Sequence, residues 1–149
     1  MKKIMILCFF LLSMQTACPV TVNNPYYPVN SSNPPNQNPP QVKQTVIERT
    51  FSVSAQSYQD FSFTANGNFH LTGEFSATGG KNDINCIVVD DFEFANLNNQ
   101  TAFKSFYTSD YVTRGRVDIR LGAGTYHIVF DNRKALLTNK TVTAKFETE

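Results

Sequence analysis

No tryptophan occurs in these 149 residues, cysteine appears only three times, and no proline follows position 40. Each scarcity excludes something. Beyond the first eighteen residues a single cysteine remains, Cys86, so the chain there makes no internal disulfide and its fold must stand on packing. In Ile84-Asn85-Cys86-Ile87-Val88-Val89 that thiol has apolar neighbours and nothing to lower its pKa, which marks it as a buried, inert side chain. Charge of one sign is lacking too. Thirteen basic residues face twelve acidic ones, a balance that gives no electrostatic reason to expect nucleic acid as a partner. Catalytic signatures are also missing: there is no Gly-x-Ser-x-Gly elbow, no His-Glu-x-x-His helix, no Cys-x-x-Cys pair and no phosphate-binding glycine loop. The sequence is therefore read as non-enzymatic, with no cofactor and no metal. The alternative is an envelope or secreted hydrolase whose carboxylates are dispersed along the chain and meet only in the fold.

What is present begins with a leader. Lys2 and Lys3 precede an apolar run over residues 4–12, and a short polar segment then ends at Ala17-Cys18. This resembles the signal and lipobox of bacterial lipoproteins, with Gln15 standing where an apolar residue is usual. The resemblance implies removal of residues 1–17, lipid attachment at Cys18, and a location in the bacterial cell envelope, on the outer membrane or cell surface. Two other readings are a plain secretory signal cut after Ala17 and a retained membrane helix. The apolar run is about half the ~20 residues that a bilayer requires, which disfavours the helix. In a plain secreted protein, Asn30-Ser31-Ser32, Asn99-Gln100-Thr101 and Asn139-Lys140-Thr141 become glycosylation sequons.

All seven prolines fall between Pro19 and Pro40, among Asn, Ser and Gln. Proline removes backbone donors, and so little apolar surface cannot offset the entropy of ordering, so residues 18–44 are expected to form a disordered tether. Extended in a polyproline-like state, such a tether advances ~3.1 Å per residue. Residues 45–149 are then one domain of ordinary size.

That body reads as strands. Apolar residues alternate with polar ones at Phe51-Val53-Ala55, at Phe61-Phe63-Ala65 and through Phe69, Leu71, Gly73, Phe75 and Ala77. Further runs are residues 84–89, Val117-Ile119-Leu121, Tyr126-Ile128-Phe130 and Val142-Ala144-Phe146. Asn66-Gly67 suits a two-residue hairpin turn with positive φ. Residues 90–100 suit either a short helix or an irregular crossover. About seven or eight short strands predict an all-β fold, an antiparallel β-sandwich or jelly roll. His70 and His127 fall on the expected wet faces of their strands and are expected to be exposed.

The C-terminal third carries a second resemblance. Leu121-Gly122-Ala123-Gly124-Thr125-Tyr126-His127-Ile128-Val129-Phe130-Asp131-Asn132, followed by Leu136-Leu137-Thr138-Asn139-Lys140-Thr141-Val142, resembles the end of the GOLD domain of emp24/p24-type proteins. Bacterial lipoproteins with this ending share a turn like Gly79-Gly80-Lys81-Asn82-Asp83-Ile84. The resemblance implies a β-sandwich used for contact with proteins or lipids, without catalysis. The coiled coil, C-terminal membrane helix and domain disulfide of the trafficking members are missing, so cargo selection does not carry over. Asp131 and Asn132 are expected to bond to turn backbone, and Lys140 to pair with Asp131 across the connector. Asn82, Asp83, Asp90 and Asp91 lack the spacing of an EF-hand loop and are read as solvated turn groups rather than Ca²⁺ ligands.

The binding surface is sought between residues 101 and 116, where aromatic and basic residues crowd together. Phe106, Tyr107, Tyr111 and Arg114 form the candidate patch, for an unknown protein or glycan ligand. The competing reading is that most of these rings plug the edge of the sandwich.

Overall fold

The computed structural model describes residues 42–149. The expectations for the leader, for Cys18 and for residues 18–41 of the tether fall outside the described residues; Gln44, expected to end the tether, begins the first strand and pairs with Thr148. Among those described, eight strands and one helix follow in the order β1 (Gln44–Val53), β2 (Tyr58–Ala65), β3 (Phe69–Thr78), β4 (Ile84–Asp90), α1 (Asp91–Asn98), β5 (Tyr107–Val112), β6 (Arg114–Leu121), β7 (Gly124–Asp131) and β8 (Lys140–Thr148).

The strands form two four-stranded antiparallel sheets, β1-β8-β3-β6 and β2-β7-β4-β5, as the alternating pattern predicts. First pairs with eighth, second with seventh, third with sixth and fourth with fifth. One long hairpin has in effect been wrapped around a core, which is the jelly-roll arrangement. β2 and β3 lie in different sheets, so Asn66-Gly67 joins sheets rather than closing a hairpin. Positive φ among the described glycines occurs instead at Gly79 and Gly80. The alternating pattern placed β2 and β3 correctly as strands but carries no information about which sheet each joins.

Period-two patterning puts Leu71, Phe75, Ala77, Ile84, Cys86, Val88, Val117, Ile128, Phe130, Val142 and Phe146 between the sheets, all buried. Phe130 is the hub, with the rings of Phe51, Phe75, Phe146 and Phe61 at 5.2, 5.7, 6.0 and 6.1 Å. Gly115 makes room at one edge: a Cβ there would stand 2.4 Å from the Phe75 ring.

A second, smaller core explains why β4 is apolar at nearly every position. Ile87 and Val89 point away from the sandwich yet are buried, because α1 lies over that outer face and adds Leu97 to Val129. The helix starts at Asp90, whose side chain accepts from the Glu93 N–H at 2.8 Å and satisfies a backbone donor of the first turn. Residues 90–100 thus resolve as a capped helix.

β5 departs from alternation through a bulge. Asn85 faces Tyr111 and Ile87 faces Thr108, so Ser109 and Asp110 together oppose Cys86, with Asp110 in the left-handed region. Ser109 Oγ accepts the Cys86 N–H at 2.8 Å. Tyr107 and Val112 are five positions apart, yet both pack on the core. The bulge supplies the odd residue and leaves Tyr111 facing outward.

Candidate functional site

The sandwich has two unlike ends. At the proximal end the chain arrives at β1, and residues 66–68, 122–123 and the α1 arm gather there. At the distal end, residues 54–57, 79–83, 113 and 132–139 carry the chain from one sheet to the other. A ten-residue strand is ~33 Å long, which sets the separation of the two ends.

The distal end is tied by buried polar groups. The side-chain amide of Asn132 donates toward the carbonyls of Thr138, Ser54 and Val53 at 2.9, 3.0 and 3.3 Å. Asn139 Oδ1 accepts the Ala55 N–H at 3.0 Å, and Gln56 N–H donates to Ala135 O at 3.0 Å. Lys140 is buried, and its ammonium donates to Asp83 at 2.5 Å and to Gly79 O at 3.0 Å. The expected Lys140–Asp131 pair is not formed. Asp131 instead holds Arg133 through Nε and Nη2, each at 3.0 Å, and this raises the guanidinium pKa. Lys140 starts β8 beside the end of β3, so the carboxylate within reach of its inward-running side chain is Asp83, in the turn that carries the chain from β3 to β4. Gly79 is required at its position: φ is +105° and a Cβ would stand 2.5 Å from Asn139 O. The motif that carried the family resemblance is therefore a clasp, joining the β3–β4 turn to the β7–β8 connector.

With its backbone tied down, that connector turns two apolar side chains outward. Leu136 is 72% exposed and Leu137 93%. Beside them lies a hollow of about 500 Å³ lined also by Lys81, Tyr111 and Lys134. The Lys134 ammonium sits 4.8 Å from the centre of the Tyr111 ring, close enough for cation–π attraction. Burial raises the Tyr111 pKa, and the nearby Asp131 carboxylate adds to the effect. The two leucines are legible in the sequence as an apolar pair inside a polar connector, well outside the aromatic and basic cluster of residues 101–116.

The four residues of the sequence-derived patch are distributed over the molecule. Phe106, half-exposed, lies toward the proximal end, where its N–H donates to Val88 O and its ring meets Tyr126 edge-on at 5.6 Å. Tyr107 is half-buried against the main core. Tyr111 faces the distal hollow, and Arg114 begins β6 on the other sheet, exposed, opposite Ser76. Tyr111 and Arg114 belong to the distal end; Phe106 and Tyr107 do not.

The histidines are not exposed as expected. His127 is buried, with Nδ1 3.1 Å from Asp60, Nε2 3.2 Å from Asp91, and its ring stacked on Phe94 at 3.9 Å. It does face outward from its strand, but α1 covers that face, which alternation alone does not reveal. His70 is half-buried between Asp118, at 2.7 Å, and Glu149, at 3.3 Å. The hydrogen bond from His70 is the main reason the Asp118 pKa is lowered. Of the groups expected to be solvated at turns, Asn82 and Asp91 are exposed; Asn82 Oδ1 also accepts the Gly79 N–H, and Asp83, Asp90 and Asp91 have partners in Lys140, the helix cap and His127 respectively. No group of three or more acidic, histidine or cysteine side chains suited to a metal ion occurs among the described residues. Cys86 is fully buried, and that burial pushes its thiol pKa up. Comparison with known protein families finds no match, and comparison with curated proteins finds none either.

Proposed function

We propose that this chain is a lipid-anchored protein of the bacterial cell envelope whose GOLD-like jelly-roll body is a non-catalytic binding module, and that the distal loop end is its working surface. The observation that carries this reading is the pairing of a hydrogen-bonded, clasped connector with two outward leucines, Leu136 and Leu137. An apolar pair held rigidly in water gives no folding benefit and offers a contact that needs little ordering when a partner arrives. Both histidines and Asp83 are already bonded to protein groups, and the Cys86 thiol is sealed in the core, which supports binding over turnover. The leader ending at Ala17-Cys18 supports the anchor.

Intact mass of the membrane-extracted protein tests the anchor. The predicted mass is that of the chain from Cys18 plus acyl groups, and Cys18→Ala should release the protein or stall its processing. A soluble mature form with an unmodified thiol contradicts the anchor. The binding half is tested with Leu136→Asp/Leu137→Asp, which should keep the thermal midpoint while abolishing partner contact.

A further inference from the structure

The partner of the distal end follows from its chemistry, given the reading above that this end is the working surface. We propose that the tip docks on an anionic phospholipid surface, with Leu136 and Leu137 entering the headgroup boundary and Lys81, Lys134 and Arg114 facing lipid phosphates.

Charge points that way. At the distal end the Arg133–Asp131 and Lys140–Asp83 pairs cancel, and Lys81, Arg114 and Lys134 remain against Asp60 and Asp110, a net charge of +1. The described residues as a whole hold eleven of the thirteen basic side chains, all but Lys2 and Lys3, and all twelve acidic ones, a net charge of −1. The remainder of the body therefore carries −2, and the net positive charge lies where the leucines project. Lys81 and Lys134 line the same hollow as the leucines, so apolar and cationic groups meet one surface together. Basic residues beside inserted apolar side chains suit an anionic bilayer.

Size argues against a protein as the main occupant. Stable protein interfaces bury at least about 1,200 Å² in total, far more than two leucine side chains on a short connector supply. A bilayer asks for no complementary shape. The sequence leaves room for the contact: a chain of 24 residues, the number from 18 to 41, would reach up to roughly 75 Å if extended at ~3.1 Å each, against ~33 Å for the sandwich. The tip can therefore reach either the membrane of its own anchor or one that faces it.

The test uses the native lipidated chain, inserted through its anchor into a supported bilayer of phosphatidylcholine alone. Dye-loaded vesicles of phosphatidylcholine, or of phosphatidylcholine with one-third phosphatidylglycerol, are then passed over it. Anionic vesicles should be held and neutral ones should not, with release at high salt. Both Leu136→Asp/Leu137→Asp and Lys81→Glu/Lys134→Glu should lower capture by about tenfold or more at unchanged thermal midpoint. The proposal is overturned if the anchored chain holds no anionic vesicles, if it holds both kinds equally, or if the folded variants hold them as well as the parent. A chain that washes off the first bilayer removes the anchor reading instead. Docking is then read by co-sedimenting the same chain with each kind of vesicle, where the same dependence on lipid and tip is expected and its absence overturns the proposal.

Discussion

Lys140 and Asp83, 57 residues apart in the chain, meet at 2.5 Å and join the start of β8 to the turn before β4. The lysine is buried and the aspartate half-buried, so the pair acts as a tie at the distal end rather than as a surface ion pair. Lys140→Met keeps the aliphatic stem but leaves Asp83 and Gly79 O without their donor. It should cost ~2 kcal/mol in urea unfolding, within the range for losing a charged hydrogen bond from a partly buried acceptor.

The same pair sets an acid limit. The hydrogen bond from Lys140 is the main cause holding the Asp83 pKa below its ordinary value; partial burial opposes it, and the lysine charge assists it. A carboxylate with a lowered folded pKa contributes its full stability above the unfolded value, near 3.9, and loses it as pH falls through that value toward the folded one. Stability measured from pH 6 down to pH 2 should therefore fall more steeply in the parent than in Asp83→Asn below about pH 4.

Gly79 supplies a backbone test of the clasp. Gly79→Ala meets both the positive φ and the carbonyl of Asn139, and should lower stability by ~2–4 kcal/mol. Gly67→Ala, with nothing within 4 Å of the new Cβ and no positive φ, should change it by less than ~1 kcal/mol.

His127 fastens α1 to the sandwich through Asp91 and Phe94. His127→Ala should remove ~1–2 kcal/mol and speed hydrogen exchange in residues 91–98 while leaving β3 and β8 protected. Equal loss of protection in both regions would show that the helix is not a separable unit.

Seven of the eight strands were legible in the sequence, β3, β6 and β8 among them because Leu71, Phe75, Val117, Val142 and Phe146 alternate with more exposed neighbours. β5 was not, since its bulge at Ser109 and Asp110 breaks the period that marks a strand. The continuous apolar run of β4 signalled burial on both faces but not the helix that produces it. Cys86 was legible from its neighbours alone. The partner of Lys140 was not, because Asp131 is near in sequence and Asp83 is near only after the sheets have formed. Aromatic crowding in residues 103–111 suggested a single patch; the strand direction carries Phe106 and Tyr111 toward opposite ends.

The central claim is that the distal loop end makes the working contact, and a photocrosslinking residue placed in the full chain tests it most directly. Chains carrying the crosslinker at position 137, at position 106 and at position 50 on the outer face of the β1 sheet are irradiated on native membranes. The account predicts adducts from position 137 and none from positions 50 and 106. Adducts from position 50 or 106 with position 137 silent would contradict it.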